Sequence, residues 1–540
     1  MTRKRYDVVV VGAGSGGYAA ARTARDGGAE VALVDRGPLG GLCILRGCMP
    51  SKALIASSDA LHDAREAEAL GVKAASLCAN MPFIAARKRG LIKSFADYRT
   101  EGIRAFPLYE GAASFLSPTE LLVSLRKDDR LRRPASNLSS RAGEEGGVTE
   151  ALPSRARTRE EAADVEGSAT TQVVLEAKNF IIATGSVIAT PTVPGLAEVG
   201  ALDSDAILEL ERIPESVVVL GGGYTACELG QFLSRMGART TMIIRSGQLL
   251  TYQDADVGTT LTQSFAEEGV EVIKHAKLLS VERRGTQKVV RCAIAGSSVI
   301  PSDVEGSASR VMLADGTQEI AADEIFNALG RTPDVTGLNL EAADVAYDRR
   351  NGITVDGTLR TSNPNIFAVG DVNGQYLLVH VAIYQGEVAA RNALDGGMEI
   401  ADYRTMSAHT IFCDPQVARV GKSEKELQAE ETPYVVGRYD FAEHGKAMCL
   451  GKTKGFVKMM ADRRRGEILG ATVIGAQASE LIHEMIVAMH YHATADEFMR
   501  IPHLHPTLAE IWTYPAEECC AQLGMKKPGD EQIELATSAT

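Results

Sequence analysis

The sequence predicts an α/β protein with two domains built on parallel sheets, followed by a C-terminal α+β domain. Three observations predict it. Near the start, YDVVVVGAGSGGYAAARTARDGGAEVALVDRG runs from a valine strand through a glycine turn into a small-residue helix, then out along a second strand. The same plan returns in SVVVLGGGYTACELGQFLSRMGARTTMIIRSG. Further on, strand-like runs (GFVKMMA, EILGATVIG) alternate with the helical run SELIHEMIVAMHYHA.

The bulk numbers suit this reading. A chain of 540 residues with 45% apolar and 24% charged residues is that of a globular protein with several domains. Its net charge of −13 gives no attraction to nucleic acid or to an anionic membrane. Nine cysteines are too few for a disulfide scaffold and point to a reducing compartment. The opening MTRKRYDVVVVGAGSGGY superficially resembles a signal peptide, but its apolar run, Val8–Val11, is too short and meets glycines at once. No run approaches the roughly 18–20 apolar residues of a membrane helix. The expected location is the cytoplasm.

In the first motif, Gly12, Gly14 and Gly17 stand at G-x-G-x-x-G spacing after a buried parallel strand. Ala19, Ala20, Ala21 and Ala24 let the helix lie close to the sheet. Asp35 ends the next strand 18 residues after the last glycine, where an acid can grip a ribose 2′-hydroxyl. The glycines let backbone N–H groups and a helix N-terminus approach a pyrophosphate. In the second motif Gly221 and Gly223 hold the first two positions, Ala226 replaces the third glycine, and Arg245 stands where the acid was. A cation there suits a 2′-phosphate, so this site is read as favouring NADPH. Two Rossmann-like sites imply two dinucleotides, a bound flavin and an exchanging nicotinamide.

Between the motifs, GGLCILRGCMPSKAL holds Cys43 and Cys48. A zinc pair, a structural staple and a redox pair are the three readings. No second cysteine pair stands near enough for zinc, with His62 the closest histidine, and a bridge closing so short a loop adds little stability. On a regular helix five residues rise about 7.5 Å, beyond the disulfide limit of about 7 Å between Cα atoms. Bridging therefore needs an irregular segment, and Gly47 supplies the freedom. Pro50 suits the first turn of the helix that follows, which puts Cys48 at a helix N-terminus with Lys52 one turn on. Both favour thiolate, and the redox pair is the preferred reading.

The segment GGLCILRGCMPSK resembles the active-site segment of the class I pyridine nucleotide–disulfide oxidoreductases. Further matches are IIATG at 181–185, NALGRTPD at 327–334, NIFAVGDV at 365–372 and HLHPTLAE at 503–510. The resemblance implies FAD, NAD(P) and dimerisation domains, and a homodimer whose active site is completed by the partner subunit. It implies electron flow from NAD(P)H through FAD to a Cys43–Cys48 disulfide and on to a disulfide substrate. Cys48 would be the thiolate beside the flavin and Cys43 the attacking sulfur. FAD would be held by Gly12, Gly14, Gly17, Asp35, Lys52, Ala183, Thr184, Gly185, Gly370 and Asp371, and NAD(P) by Gly221, Gly223, Tyr224, Ala226, Glu228, Arg245 and Gly330. Lys52 would pair with Glu228, and Tyr224 would gate the nicotinamide pocket. His505 and Glu510 resemble the family's base pair, and imidazole beside carboxylate suits the proton traffic of thiol–disulfide exchange. Pro506 reads as the start of a helix capped at His505.

Within the family, H-x-H-P-T-x-x-E from His503 to Glu510, and Ser51 before Lys52, resemble dihydrolipoamide dehydrogenases. Ala226 and Arg245 resemble NADPH-using glutathione and mercuric reductases instead. Adjacent Cys519 and Cys520 raise mercuric reduction as the alternative, but their distance from the chain end is unlike that subfamily, and packed or solvent-lying thiols are the plainer reading. A flavin redox sensor or complex subunit is the second alternative. No metal site is expected. Cys78, Cys227, Cys292, Cys413 and Cys449 are read as structural, and His483, His490 and His492 as packing or interface residues.

The expected layout is an FAD domain in three pieces (1–125, 171–212 and 333–400), an NAD(P) domain at 213–332, a dimerisation domain at 401–520 and a tail at 521–540. The stretch 126–170 has no aromatic residue and reads as a disordered insert in a hairpin. A second insert at 297–310 shares the run D-V-E-G-S-A with it, as though one coding element had lodged twice in tolerant loops.

Overall fold

The computed structural model describes residues 1–126, 171–295, 299–300 and 309–525. The chain divides into two compact units, one of Met1–Pro50, Arg89–Val187 and Arg331–Ala401, the other of Ser51–Lys88, Ile188–Gly330 and the chain from Asp402 on.

In the first unit, strand β1 (Thr2–Val11) runs parallel to β2 (Val31–Asp35) on one side and to Gln172–Ile182 on the other. Ile366–Ala368 extends the parallel set, while Leu108–Ser117 and Glu120–Leu125 form an antiparallel hairpin that rejoins Gln172–Ile182. Val8 to Val11 are buried on both faces of the sheet, as a parallel strand requires. Each such side chain contributes roughly 1.5–3 kcal/mol. One face packs Val9, Val11, Phe115 and Phe180, the other Val8, Val10, Ile181 and Phe367. Helix α1 (Ser15–Asp26) buries Ala19, Ala20, Ala21 and Ala24, the residues whose small size the sequence singles out. It also meets the helix Val379–Asp395 backbone to backbone, since a Cβ on Gly386 would fall 2.3 Å from the Gly16 carbonyl.

The second unit holds the other glycine-turn sheet, with Glu324–Asn327, Ser216–Leu220, Arg239–Ile243 and Glu271–Ile273 parallel and Val299–Ile300 antiparallel at the edge. It also holds a five-stranded antiparallel sheet, His409–Ile411, Gln416–Gly421, Ile468–Gly475, Phe456–Asp462 and Tyr434–Asp440 in spatial order. The helices Ala478–His490 and Thr513–Gln522 pack with it around Trp512, which is fully buried. The strands and long helix read at the C-terminus therefore stand where the sequence placed them.

The first insert lies outside the described residues from 127 to 170, between strands Glu120–Leu125 and Gln172–Ile182, which pair antiparallel. Of the second, Val299–Ile300 and the strand Ser309–Met312 are described, and both copies of the shared run lie outside. The tail beyond Met525 lies outside as well.

Candidate active site

The segment with the two cysteines is a helix broken at one residue. Helix α2 (Gly41–Arg46) ends at Gly47, and α3 (Cys48–Glu66) begins at once. A side chain at Gly47 would press on the Leu42 carbonyl at 3.0 Å and the Cys43 Cα at 3.3 Å, so the break folds back tightly toward Cys43. Both cysteines are half-buried. Pro50 lies in the first turn of α3, with Cys48 at its first position, where aligned peptide dipoles favour thiolate. The start of α2 lies against the first glycine turn, since a Cβ on Gly41 would fall 2.7 Å from the Gly14 Cα.

Lys52, one turn into α3, is engaged elsewhere. Its Nζ donates to Glu228 Oε2 at 2.8 Å and lies 4.4 Å from the centre of the Phe412 ring. Glu228 is buried and also accepts the Phe412 N–H at 2.9 Å. A buried carboxylate thus holds the ammonium as a fixed pair. This is the pair the resemblance implies.

The first glycine turn leaves no room for a side chain at its first and third glycines. Gly12 has φ +105°, and its Cβ would fall 2.3 Å from the Ala183 carbonyl; a Cβ on Gly17 would fall 1.8 Å from the Gly12 carbonyl. Gly14 caps α1 with no side chain over the helix N-terminus. Asp35 stands at the end of β2, its Oδ2 accepting the Ala13 N–H at 2.7 Å and its Oδ1 the Gly37 N–H at 2.6 Å. Burial pushes its carboxyl up, against both N–H groups. Ala183 donates its N–H to Val11, the Thr184 hydroxyl donates to the Asp334 carbonyl, and Gly185 takes φ +76°. Asp371 follows Gly370, accepts from the Ser186 hydroxyl at 2.6 Å, and is likewise pushed up by burial. Arg331, quoted in NALGRTPD but assigned no role from the sequence, donates to the same hydroxyl at 2.9 Å. A bare helix N-terminus, a Cβ-free turn and an acid at the strand end fit a dinucleotide.

The second turn has the same form, with an alanine at its third position. Gly221 has φ +122° with its Cβ 2.5 Å from the Ala328 carbonyl, whereas a Cβ on Gly223 meets nothing within 4 Å. Tyr224 opens the helix Tyr224–Arg235 and is exposed, Ala226 is fully buried, and Gly330 takes φ +113°. Arg245 is exposed, with no hydrogen bond or ion pair to any described residue. It does not end the strand, as the sequence suggested. The strand closes at Ile243, after which Ile244 donates to the Ile273 carbonyl and His275 to the Ser246 carbonyl. That ladder brings half-buried Lys274 to the same edge, its ammonium held below the usual lysine value by burial. Sequence reading missed Lys274, which directly follows the paired strand Glu271–Ile273.

His505 Nδ1 donates to Glu510 Oε2 at 2.9 Å, on a ring that is 80% exposed. The acceptor fixes the tautomer and leaves Nε2 turned away from the carboxylate. Burial pushes Glu510 up, but the His505 hydrogen bond and the Thr507 N–H outweigh it and hold the carboxyl below its ordinary value. Pro506 does not open a helix. The short turn Ala509–Trp512 comes later, where the Glu510 N–H donates to the Thr507 hydroxyl and the Thr507 N–H to Glu510 Oε1. This reciprocal capping, not the proline, starts the turn. His503 is engaged at both ring nitrogens, with Glu484 at 2.7 Å and the Ile501 carbonyl at 2.9 Å.

The remaining cysteines divide. Cys227, Cys292 and Cys413 are buried, but Cys78 and Cys449 are exposed and do not pack in the core. Cys519 and Cys520 are both buried; burial pushes the Cys519 thiol up to about 12. A soft-metal gate open to solvent is not formed there. His483 and His490 are exposed on their helix, and His492 lies beyond its end, beside Glu467 and Arg404. His62, Glu268 and Asp414 lie close enough together to hold a cation, yet the Arg235 guanidinium already pairs with Glu268 and Asp414, each at 2.7 Å.

The family model described as pyridine nucleotide-disulphide oxidoreductase matches residues 6–386, and that of the corresponding dimerisation domain matches residues 407–516. The chain is 32% identical over 515 residues to the dihydrolipoyl dehydrogenase of Chlamydia trachomatis serovar D, covering 95% of this chain and 96% of the relative. To the mercuric reductase of Streptomyces lividans it is 30% identical over 529 residues, covering 96% and 98%. Among solved structures, the HOCl-induced flavoprotein disulfide reductase RclA of Escherichia coli superposes with a TM-score of 0.72 at 21% identity, covering 95% of this chain and 99% of that one, a likeness of fold. Among the described residues, no helix is long and apolar enough to cross a membrane.

Proposed function

This chain belongs to the pyridine nucleotide-disulphide oxidoreductase family, and on that premise we propose that it exchanges electrons between NADPH and a small dithiol–disulfide substrate of the lipoamide type. It is a flavoprotein disulfide reductase that uses FAD and a nicotinamide dinucleotide and carries a dimerisation domain. The observation that supports the lipoamide reading is the His505–Glu510 pair, an exposed imidazole whose Nδ1 is pinned.

When bound, FAD supplies the two-electron relay between nicotinamide and disulfide. In the reducing direction the chain's part begins with both sulfurs reduced. The Cys43 thiolate attacks one sulfur of the substrate disulfide, forming a mixed disulfide. The departing substrate sulfur takes a proton from His505 Nε2. The Cys48 thiolate then attacks the Cys43 sulfur, breaking the mixed disulfide, leaving Cys43 and Cys48 joined and expelling the second substrate sulfur as a thiolate that takes its proton from solvent. Glu510 keeps Nε2 as the exchanging nitrogen throughout. The ring's exposure within one chain accords with a base that serves the disulfide of a second copy in a homodimer. Asp35 and Asp371 hold the flavin side, Arg245 with Lys274 the nicotinamide side.

Mercuric reduction is the weaker reading, because Cys519 and Cys520 are buried and Cys519 is held as a thiol. The test is a matrix of NADPH and NADH against lipoamide, glutathione disulfide and Hg(II). Lipoamide turnover should dominate, and Cys43→Ser or Cys48→Ser should lower it roughly a thousandfold or more. Lipoamide turnover undiminished in either serine variant overturns the proposal.

A further inference from the structure

The Glu510 carboxylate has a second imidazole beside it, one that no sequence motif marks. His444 is only 1% exposed, and neither ring nitrogen has a hydrogen-bond partner among the described residues. Its Nε2 lies 3.7 Å from Glu510 Oε1, the oxygen that does not serve His505. The ring stands edge-on to Tyr514, with centroids 6.2 Å apart, and Tyr514 stacks on Tyr439 at 3.9 Å. The backbone of His444 is fixed too, donating to the Phe441 carbonyl and accepting from the Met448 N–H. A buried imidazole with both nitrogens unpaired is costly, and here it is held against the one carboxylate that orients the exposed base.

We propose that His444 is a positioning residue for the thiol–disulfide step: its Nε2–H closes on Glu510 Oε1 and holds the carboxylate between two imidazoles. This rests on the reading of His505 and Glu510 as the base pair. The contact does two things. It decides which oxygen faces His505, and it draws off part of the carboxylate's charge, so that the His505 imidazolium is stabilised less than by an unshared carboxylate. Burial lowers the His444 pKa below the ordinary imidazole value, Glu510 opposes that, and His505 adds to the lowering. The titratable groups around the ring are Glu510, His505, Tyr514, Tyr439 and the adjoining Glu443, whose backbone carbonyl accepts from the Tyr439 hydroxyl at 3.0 Å.

The test uses the holoenzyme oxidising dihydrolipoamide, the direction in which His505 must accept a proton and the acid limb of kcat/KM reports its pKa. His444→Phe keeps an aromatic edge on Tyr514 and removes the donor. Its acid limb should move up by about half a pH unit or more. His444→Gln, with an amide N–H near the Nε2 position, should restore the limb. In a Glu510→Gln background the two variants should become indistinguishable. Equal shifts for Phe and Gln, or no shift for either, overturn the proposal. If His444→Phe does not fold, nitrogen-15 histidine spectra of the unaltered and Glu510→Gln proteins decide. The His444 Nε2 signal should move between them, and an unmoved signal refutes the contact. His505→Gln separates the two readings, since turnover that survives it sinks the base pair itself, whereas lost turnover with a silent His444→Phe sinks only the role of His444.

Discussion

The two glycine turns follow one plan and differ at two places. In the first, the third position must be Gly17, whose Cβ would lie 1.8 Å from the Gly12 carbonyl, and the second strand ends on Asp35, tied to two backbone N–H groups. In the second, the third position is a fully buried Ala226, and beyond the strand stands Arg245, exposed and with no described partner. One turn admits only hydrogen at its third position and has its acid tied to backbone; the other takes a methyl group there and has an exposed cation beyond its strand. The contrast suits their jobs. A flavin that stays bound gains from a rigid, pre-tied site, whereas a nicotinamide that comes and goes needs room and a handle for its phosphate.

The harshest way to test that contrast is Gly17→Ala. The methyl group would collide with backbone, which cannot swing aside as a side chain can. We expect a colourless protein, with most of its flavin lost, by absorbance of the purified variant. Full flavin content would mean that the first turn has slack this geometry does not show.

What could be read from the chain alone was whatever leaves a local trace. The valines of β1, the small face of α1, Asp35 at the end of β2 and the break at Gly47 each arise from neighbouring residues, and each was legible. The Lys52–Glu228 pair joins distant segments and was foreseen only through the resemblance to a family. Where contacts between distant segments decide the outcome and no motif marks them, the reading failed. By correspondence with Asp35, Arg245 reads as a strand end, but the strand closes two residues earlier, at Ile243, where it pairs with Glu271–Ile273. The helix expected at Pro506 gave way to capping between Thr507 and Glu510. His444 carries no motif at all; it stands edge-on to Tyr514 and 3.7 Å from Glu510, 66 residues away in the chain.

A gentler probe acts on the cation. Arg245→Glu should raise KM for NADPH about tenfold or more, equivalent to about 1.4 kcal/mol, and improve the use of NADH, with flavin content unchanged. Lys274→Ala should push the same way by less, because Lys274 is half-buried where Arg245 is exposed. If NADPH kinetics ignore both changes, the second turn does not sense the sign of the ribose substituent. The opposition between Asp35 and Arg245 then loses its meaning.

The smallest effect is expected from making the second turn look like the first. Ala226→Gly introduces the third glycine into a helix that has already accommodated a methyl group in a fully buried position. Glycine there costs about 0.5–1 kcal/mol through backbone entropy, so thermal unfolding should begin a few degrees lower, while KM for NADPH and flavin content hold. The reason lies in what the third position does in each turn. At Gly17 the helix is so near the turn that only hydrogen fits, and the closeness is part of the site. At Ala226 the helix stands further off, so the missing methyl removes packing without bringing backbone nearer to a nucleotide. A marked gain in NADPH affinity from Ala226→Gly would show that helix-to-turn distance limits binding in the second site too, and the two turns would then differ in charge alone.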